Sequence, residues 1–465
     1  MFHTDKYMSH TTFNHVLNFF AAIEQKVVVV DVESTGGDLY QDRLTEIALV
    51  VIENGQISEH SWLINPQKPI PPFVEKLTGI NNNMVQSQPI FARVTAEILP
   101  YLQDAILIAH NVQFDYGFLR NAFLREQIYL HNHILCSVKL SRKLYPEYKK
   151  HNLDSIIDRM QITLPSRHRA LPDAQAIVYF LERALTEKGL DTVQKQFNTL
   201  LTPKLPPTEL PPSIRQTINQ MPDDFGYFVL LDKEHNILSA QPCERLFRDC
   251  CTYLNLLDEE TLNQIASISF HPTTGIISAH ILLALWHEKN GISLPQASGS
   301  TVTLQANEQG MLQAKIIPYT NGSEQQTSYG YFPNAKAAKK ALAECVQNHG
   351  LCPNSLGLLH PTPPSGTPCI QEINGQCMGA CVGREEASSH NLRTQKALLS
   401  LPVRDWYFAS TVQLIETHPI SGLSQTFTFD KGRLLQEEQP AFFHAPLLSL
   451  IKKQIRNNPW LKINQ

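Results

Sequence analysis

The sequence feature that most constrains the fold is a run of four valines followed by two acids. Residues 27–30 are all valine, and Asp31 and Glu33 follow them. The apolar run predicts a buried β-strand, in which residues two positions apart share one face. Two co-facial carboxylates at the end of a buried strand repel each other unless a cation neutralises them, and oxygen ligands favour hard cations such as Mg²⁺ or Mn²⁺. The alternative is a pair of solvated strand-end acids.

The segments around this run alternate in a way that predicts an α/β fold. Strands are expected at residues 44–52, 58–64 and 105–109, and amphipathic helices at residues 115–126 and 173–186. Strands that come first and then alternate with helices predict a mixed sheet flanked by helices.

Two further acids and a histidine lie at the starts of the predicted helices. Asp115 begins the first helix, and His168 precedes Asp173 by five residues at a loop-to-helix junction. In this order and with these neighbours, the set resembles the His-containing (DEDDh) branch of the DnaQ-like 3′→5′ exonucleases, which includes polymerase III epsilon-type subunits. The resemblance covers residues 26–187 and implies an RNase H-like fold.

The same resemblance implies a two-metal hydrolysis of the terminal 3′ phosphodiester. Asp31 would bridge two Mg²⁺ (or Mn²⁺) ions, Glu33 and Asp173 would complete the first, and Asp115 would support the second. His168 would act as the general base, since the ordinary pKa of histidine suits proton transfer near neutral pH.

Residues near these acids are candidates for contact with the substrate. Thr35 and Gly36 would let the backbone and a hydroxyl approach the terminal nucleotide. Phe114 or Leu77 would wedge against the terminal base, or would instead belong to the core. Glu46 matches a position where the family often has an acid, and we leave it outside the catalytic set.

A second constellation consists of four cysteines near the C-terminus, Cys352, Cys369, Cys377 and Cys381. Four thiolates are able to hold Zn²⁺ or an iron–sulfur cluster, whereas the alternative is a set of reduced core cysteines. The segments 329–332, 368–383 and 390–393 resemble the cysteine-rich region of UvrC-type excinuclease subunits and their Cho-like homologues. That resemblance implies a [4Fe–4S] cluster ahead of Zn²⁺.

Residues 221–295 occupy the place of the GIY-YIG endonuclease domain that precedes this region in UvrC-like proteins. Residues 226–229 and 237–241 stand where its two motifs belong, but the second lacks its tyrosine and glycine, and the helix around His280 lacks the metal-binding glutamate. Arg245 or Arg248 would stand for the family's arginine. The expectation is a degenerate domain that binds DNA or holds its neighbours in place.

The predicted organisation is therefore an exonuclease domain (1–187), a Pro-rich linker (188–220), the GIY-YIG-like domain (221–295) and a cysteine-containing, α-rich region (296–465). The expected function is a DNA 3′→5′ exonuclease in repair or replication proofreading. The alternatives are an RNA exonuclease and a DNA-damage-binding scaffold.

The expected partners are DNA 3′ ends, single-stranded or frayed, and proteins of replication or excision repair.

No apolar stretch approaches the roughly 18 residues that span a membrane. Residues 1–26 carry no apolar signal segment, and nine cysteines without one indicate a reducing cytoplasm. The net charge of −4 excludes a strongly basic surface overall, so DNA would follow a local basic strip. Its candidates are Arg120, Arg125, Lys139, Arg142, Lys149, Lys150, Arg167 and Arg169.

Overall fold

The run of valines lies in the middle of a five-stranded sheet. The structure, a computed structural model, describes residues 13–464 except residues 24, 205, 295–297, 325, 362, 365 and 438. Part of the segment examined for a secretory signal, residues 1–12, therefore lies outside the described residues. The chain divides into two compact units, one up to Thr273 with Pro419–Gly422, the other formed by Thr274–His418 and the residues from Leu423 onwards.

The first unit contains the predicted mixed sheet. Its strands are β1 (Val27–Ser34), β2 (Leu44–Glu53), β3 (Gln56–Leu63), β4 (Ile106–Ala109) and β5 (His133–Cys136), in the order β3-β2-β1-β4-β5. The first three pair antiparallel, and β4 and β5 continue the sheet in parallel with β1. This arrangement confirms the α/β fold with a mixed sheet.

Helices cover both faces of this sheet. They are α1 (Asn14–Ala21), α2 (Pro72–Thr78), α3 (Asn82–Val85), α4 (Phe91–Leu102), α5 (Val112–Arg125), α6 (Ser137–Leu144), α7 (Leu153–Met160), α8 (Ala170–Lys188) and α9 (Leu190–Leu200). Val27 and Val29 pack in one core with residues of α1 and α8, while Val28 and Val30 pack in a second core with residues of α4 and α5. A strand buried on both faces needs apolar residues at every position, which explains the unbroken run of valines.

Ordered structure occupies much of the segment predicted as a linker. Helix α9 buries Val193 and Phe197 in the core that contains α8. Thr202 then exchanges two backbone hydrogen bonds with Ile134 of β5, at 2.8 and 3.0 Å. These bonds occupy backbone groups of an edge strand that would otherwise be unpaired.

The rest of the first unit is a small module, which we define as residues 210–272. It contains α10 (Pro212–Ile218), β6 (Gly226–Leu231), β7 (Ile237–Cys243), α11 (Leu246–Leu254), α12 (Glu259–Gln264) and β8 (Ser267–Pro272). Its three strands form an antiparallel sheet in the order β7-β6-β8. Phe228, Phe247, Cys250 and Cys251 lie in its core, which accounts for these two adjacent cysteines.

The second unit contains two further sheets. Its strands are β9 (Ser300–Ala306), β10 (Leu312–Pro318), β11 (Gly322–Ser323), β12 (Ser328–Phe332), β13 (Val412–Thr417), β14 (Ser424–Asp430), β15 (Arg433–Gln436), β16 (Gln439–Phe443) and β17 (Leu461–Asn464). One sheet has the order β10-β9-β12 and the other the order β11-β16-β15-β14-β13-β17.

The helices of the second unit are fewer than its strands in the described residues. They are α13 (Ile276–Lys289), α14 (Ala335–Asn348), α15 (Ile370–Ile373), α16 (Ala387–Leu398) and α17 (Ala445–Asn457), with a 3₁₀ turn at Ala380–Val382. The expectation of an α-rich region at 296–465 was wrong. The strands were missed because they are short and half-exposed, with burial that alternates along segments such as β13 and β14. None of the helices in the described ranges has the length and apolarity to cross a bilayer.

A buried carboxylate fixes the start of α13. Glu416 of β13 accepts hydrogen bonds from the backbone N–H groups of Ile277 (3.1 Å) and Ser278 (2.7 Å) and from the Ser278 hydroxyl (2.7 Å). A Cβ at Gly275 would clash with the Glu416 carboxylate, so a side chain at this position would displace the group that caps α13. A negative charge at a helix N-terminus is favourable, and here it also satisfies backbone donors.

Glu416→Ala should therefore destabilise the second unit. The change leaves three donors without their acceptor, and we expect a loss of about 2–4 kcal/mol in the free energy of unfolding. Urea unfolding of the full chain measures it, with Glu437→Ala, an exposed glutamate in the turn between β15 and β16, as control. Equal unfolding midpoints for the two variants would show that the capping contributes no stability.

Candidate active site

Three of the five predicted catalytic residues meet at the carboxyl end of β1. Asp31 and Glu33 lie on β1, and Asp173 lies in the first turn of α8. One carboxylate oxygen from each lies within 4.8 Å of the others. Residues 140 positions apart in the sequence thus form a set of oxygen ligands of the kind that Mg²⁺ or Mn²⁺ prefers.

The fourth acid, Asp115, is buried beside this group. It lies in the first turn of α5, and its Oδ1 accepts a hydrogen bond from the backbone N–H of Val32 at 3.2 Å. Val32 is the residue between Asp31 and Glu33. Asp115 is thereby held against the strand end that carries the other two carboxylates.

The pKa values of these acids are raised, which means that the cluster disfavours their negatively charged forms. Burial, followed by the charges of Asp115, Glu33 and Glu46, raises the pKa of Asp31 well above its usual range. Burial and the neighbouring acids raise the pKa of Glu33 to about 8, and burial raises that of Asp115 to about 7. A divalent cation would supply the missing positive charge, so the residues fit the metal that the sequence predicts.

Glu46, which we left outside the catalytic set, holds the loop before α8 in place. It faces Glu33 across the β1–β2 pair and is buried. Arg169 binds it through two hydrogen bonds, Nε to Oε2 at 3.0 Å and Nη2 to Oε1 at 2.6 Å, and the Ala170 N–H adds a third at 2.9 Å. This bidentate pair fixes the loop to the sheet.

His168 lies between two arginines that are both bound to acids. Arg169 binds Glu46, while Arg167 forms an ion pair with Asp173 and donates from Nε to Asp154 at 2.9 Å. His168 itself is exposed and adopts a left-handed backbone with φ of 57°. The sequence placed both arginines on a basic strip, but their position beside His168 was the signal that they belong to the site.

The predicted substrate-contact residues differ in their surroundings. The Thr35 hydroxyl donates to Asp42 at 3.0 Å and accepts from the Arg43 N–H at 3.1 Å, so it shapes the loop after β1. A Cβ at Gly36 would lie 2.4 Å from an oxygen of the same Asp42. Phe114 is half-buried, with its ring 4.8 Å from that of Phe118.

An exposed apolar pair on α2 was only half recognised from the sequence. Leu77 is 57% exposed, and Phe73, four residues earlier and thus on the same helix face, is 68% exposed. Phe73 was missed because apolar residues in a short helix are normally assigned to the core.

The four cysteines predicted to bind a metal or an iron–sulfur cluster lie together in the second unit. The sulfurs of Cys352, Cys369 and Cys381 lie within 4.8 Å of one another, and Cys377 packs against the same group. Buried His390 accepts a hydrogen bond at its Nε2 from the Cys352 N–H at 3.2 Å, and the sequence did not assign it this role. Converging thiols are suitable ligands for Zn²⁺ or an iron–sulfur cluster.

Comparison with known families agrees with the position of both clusters. Residues 28–181 match the family described as Exonuclease, and residues 302–400 match the family described as UvrC/Cho excinuclease, middle domain. The chain therefore carries a domain that matches the exonuclease family, and this domain has an α/β fold with a mixed sheet flanked by helices.

Individual relatives align with less than half of the chain. Over 196 residues it is 33% identical to a DNA polymerase III PolC-type protein of Caldanaerobacter subterraneus, which aligns 41% of this chain and 14% of that protein. Over 163 residues it is 40% identical to the 3'-5' exonuclease DinG of Bacillus subtilis, which aligns 34% of this chain and 18% of that protein. The chain thus spans less than a fifth of these relatives.

Among solved structures, Exonuclease X in complex with 5' overhanging duplex DNA aligns with 36% of this chain and 99% of its own. The identity is 24% and the TM-score is 0.29.

The raised pKa values predict how pH affects the metal-free protein. In the unfolded chain Asp115 loses its proton near pH 4, whereas in the folded protein its pKa is about 7. The folded state therefore binds the extra proton between these values, and stability falls as the pH rises through that window. Asp115→Asn removes this group, so its stability relative to wild type should rise between about pH 4 and about pH 7.

Thermal unfolding in EDTA, across this pH range, measures the difference. Mg²⁺ should stabilise wild type more at the higher pH and the variant much less at either pH, because only the ionised acid is a ligand. A constant difference between the two proteins would contradict the burial of Asp115 among the other acids.

Proposed function

We propose that this chain is a metal-dependent 3′→5′ exonuclease that hydrolyses the terminal phosphodiester of DNA. The observation that carries the proposal is the convergence of Asp31, Glu33 and Asp173 beside buried Asp115. Four acids concentrated in one buried place are unfavourable in the absence of a cation, so the arrangement is best explained by a catalytic metal centre. The Exonuclease family match covers all four residues.

Each residue has a role in this scheme. Asp31, Glu33 and Asp173 would hold one cation, and Asp31 with Asp115 would hold the second. When bound, the two cations stabilise the attacking and the leaving oxygens of an in-line displacement. His168 removes the proton from the attacking water, and the anchored arginines on either side keep its loop near Asp173.

The substrate class is DNA, in replication proofreading or in repair. The names of the PolC-type and DinG relatives and the match of residues 302–400 to an excinuclease domain support DNA over RNA. The exposed side chains of Phe73 and Leu77 on α2, together with half-buried Phe114, provide apolar surface on which terminal bases would stack.

Digestion of a 5′-labelled single-stranded DNA oligonucleotide with Mg²⁺ or Mn²⁺ tests the proposal. We expect wild type to produce a ladder that shortens from the 3′ end. Asp115→Asn should slow the digestion by about a thousandfold or more because a metal ligand is lost. Asp191→Asn, the same change at an exposed position in α9, should leave the rate unchanged.

An RNA oligonucleotide of the same sequence tests the substrate class. Degradation of RNA in preference to DNA would assign the chain to the RNA exonucleases. Products that shorten from the labelled 5′ end, or an intact oligonucleotide in both series, would overturn the proposed reaction.

The cysteine cluster supports a second candidate function, that of a DNA-damage-binding scaffold in excision repair. We infer that Cys352, Cys369, Cys377 and Cys381 hold a [4Fe–4S] cluster, or alternatively Zn²⁺, in the region that matches the UvrC/Cho family. In this function the chain would recognise DNA through its second unit, independently of hydrolysis.

Purification without oxygen distinguishes the two occupants. An iron–sulfur cluster predicts a brown protein that contains iron and sulfide, and zinc predicts a colourless one. Cys369→Ser should lose the bound cluster or zinc ion. Cys345→Ser should retain it, because Cys345 is a buried cysteine that donates a hydrogen bond to the Ala397 carbonyl. Wild-type protein free of iron and zinc would contradict the metal site. DNA binding that persists in Asp115→Asn but is lost in Cys369→Ser would favour the scaffold.

A further inference from the structure

A buried polar network joins the small module to the helix that carries Asp115. We call it the α5 network, and it consists of Tyr116, Arg120, Asp223 and Arg245. The Tyr116 hydroxyl donates to Oδ2 of Asp223 at 2.9 Å, and Arg245 forms an ion pair with the same oxygen. Arg120 donates to the Asp223 carbonyl at 3.4 Å.

The network is almost completely removed from water. Tyr116 and Asp223 are 1% and 4% exposed. Burial alone would raise the pKa of Asp223, but Arg245 and Arg120 hold it below its usual value. Because desolvation offsets most of the attraction within a buried ion pair, such a pair contributes little net stability, whereas its directional bonds strongly fix geometry.

The network acts on the residue next to a proposed metal ligand. Tyr116 directly follows Asp115, and adjacent helix residues point about 100° apart, so one side chain faces the acids while the other faces the module. On a further side of α5, Asn121 donates to the Leu39 carbonyl at 2.9 Å and Gly117 lies against the Leu39 side chain. The helix is thus held both by the loop after β1 and by the module.

Arg245 is one of the two arginines that the sequence offered as a remnant of a second nuclease site. In the structure its guanidinium is directed to Asp223 and lies 5.6 Å from the centre of the Tyr116 ring. The other candidate, Arg248, pairs with its neighbour Asp249. The module therefore uses Arg245 to hold α5.

We propose that Asp223 and Arg245 are positioning residues of the exonuclease site, which fix α5 through Tyr116 so that Asp115 is correctly placed for its cation. This inference rests on the proposed function, and it makes the small module part of the exonuclease. A rotation of α5 would move the Asp115 carboxylate away from the Val32 N–H and from Asp31. Misplacement of a metal ligand lowers the rate of hydrolysis without weakening the binding of DNA.

The test uses the full chain with Asp223→Asn and Tyr116→Phe, of which the second removes only one hydroxyl. Asp232→Asn is the matched control, because Asp232 caps the turn between β6 and β7 in the same module. We expect the first two variants to lower kcat about tenfold and to raise the Mg²⁺ concentration for half-maximal activity, with the KM for DNA unchanged. The control should match wild type.

Two readouts separate positioning from a general loss of structure. Tyr116→Phe combined with Asp223→Asn should lose no more activity than the stronger single variant, since both act on the shared hydrogen bond between Tyr116 and Asp223. Electron paramagnetic resonance measures the affinity for Mn²⁺, which should fall severalfold in both single variants. Thermal unfolding should show that both variants are folded.

The results distinguish failure of the inference from failure of the proposed function. If wild type degrades DNA and both variants retain wild-type kcat, metal dependence and Mn²⁺ affinity, the positioning role is wrong. If wild type does not degrade nucleic acid but the variants bind Mn²⁺ more weakly, the proposed function fails and the positioning role stands. Unchanged Mn²⁺ binding in that case overturns both.

Discussion

Repulsion among buried carboxylates is the constraint on which the rest of the first unit depends. Asp31, Glu33 and Asp115 lie in a place where burial raises their pKa values, so the cluster is stable only when protonated or when neutralised by positive charge. The surrounding structure supplies part of that charge through Arg167 and Arg169. The remaining deficit is what suits the site to the divalent cations of the proposed reaction.

The second theme is that the groups around the acids are fixed from several directions. The loop of His168 is held by arginines on both sides, and α5 is held by Leu39 and by the α5 network. Precise placement of metal ligands requires such rigid support, because ligands on loose elements lose geometry and affinity. In the proposed positioning role, the small module becomes part of the environment of the exonuclease site.

Much of the first unit could be predicted from sequence. The valine run, the paired acids and the helices that begin near Asp115 and Asp173 all follow from local periodicity, and the structure has strands and helices at these places. The second unit was predicted poorly because its strands are short and half-exposed. The α9 helix was hidden by the prolines that follow it, since Pro-rich composition usually indicates a spacer.

The sequence by itself determined which residues are candidates for the chemistry, because the spacing of acids along a strand and at helix starts is a local property. Only the tertiary structure decided which charges meet. The pairing of Glu46 with Arg169, of Arg167 with Asp173 and of Asp223 with Arg245 joins residues that are 123, 6 and 22 positions apart. Such contacts depend on how strands and helices pack, and the burial that raises or lowers each pKa exists only after that packing is complete.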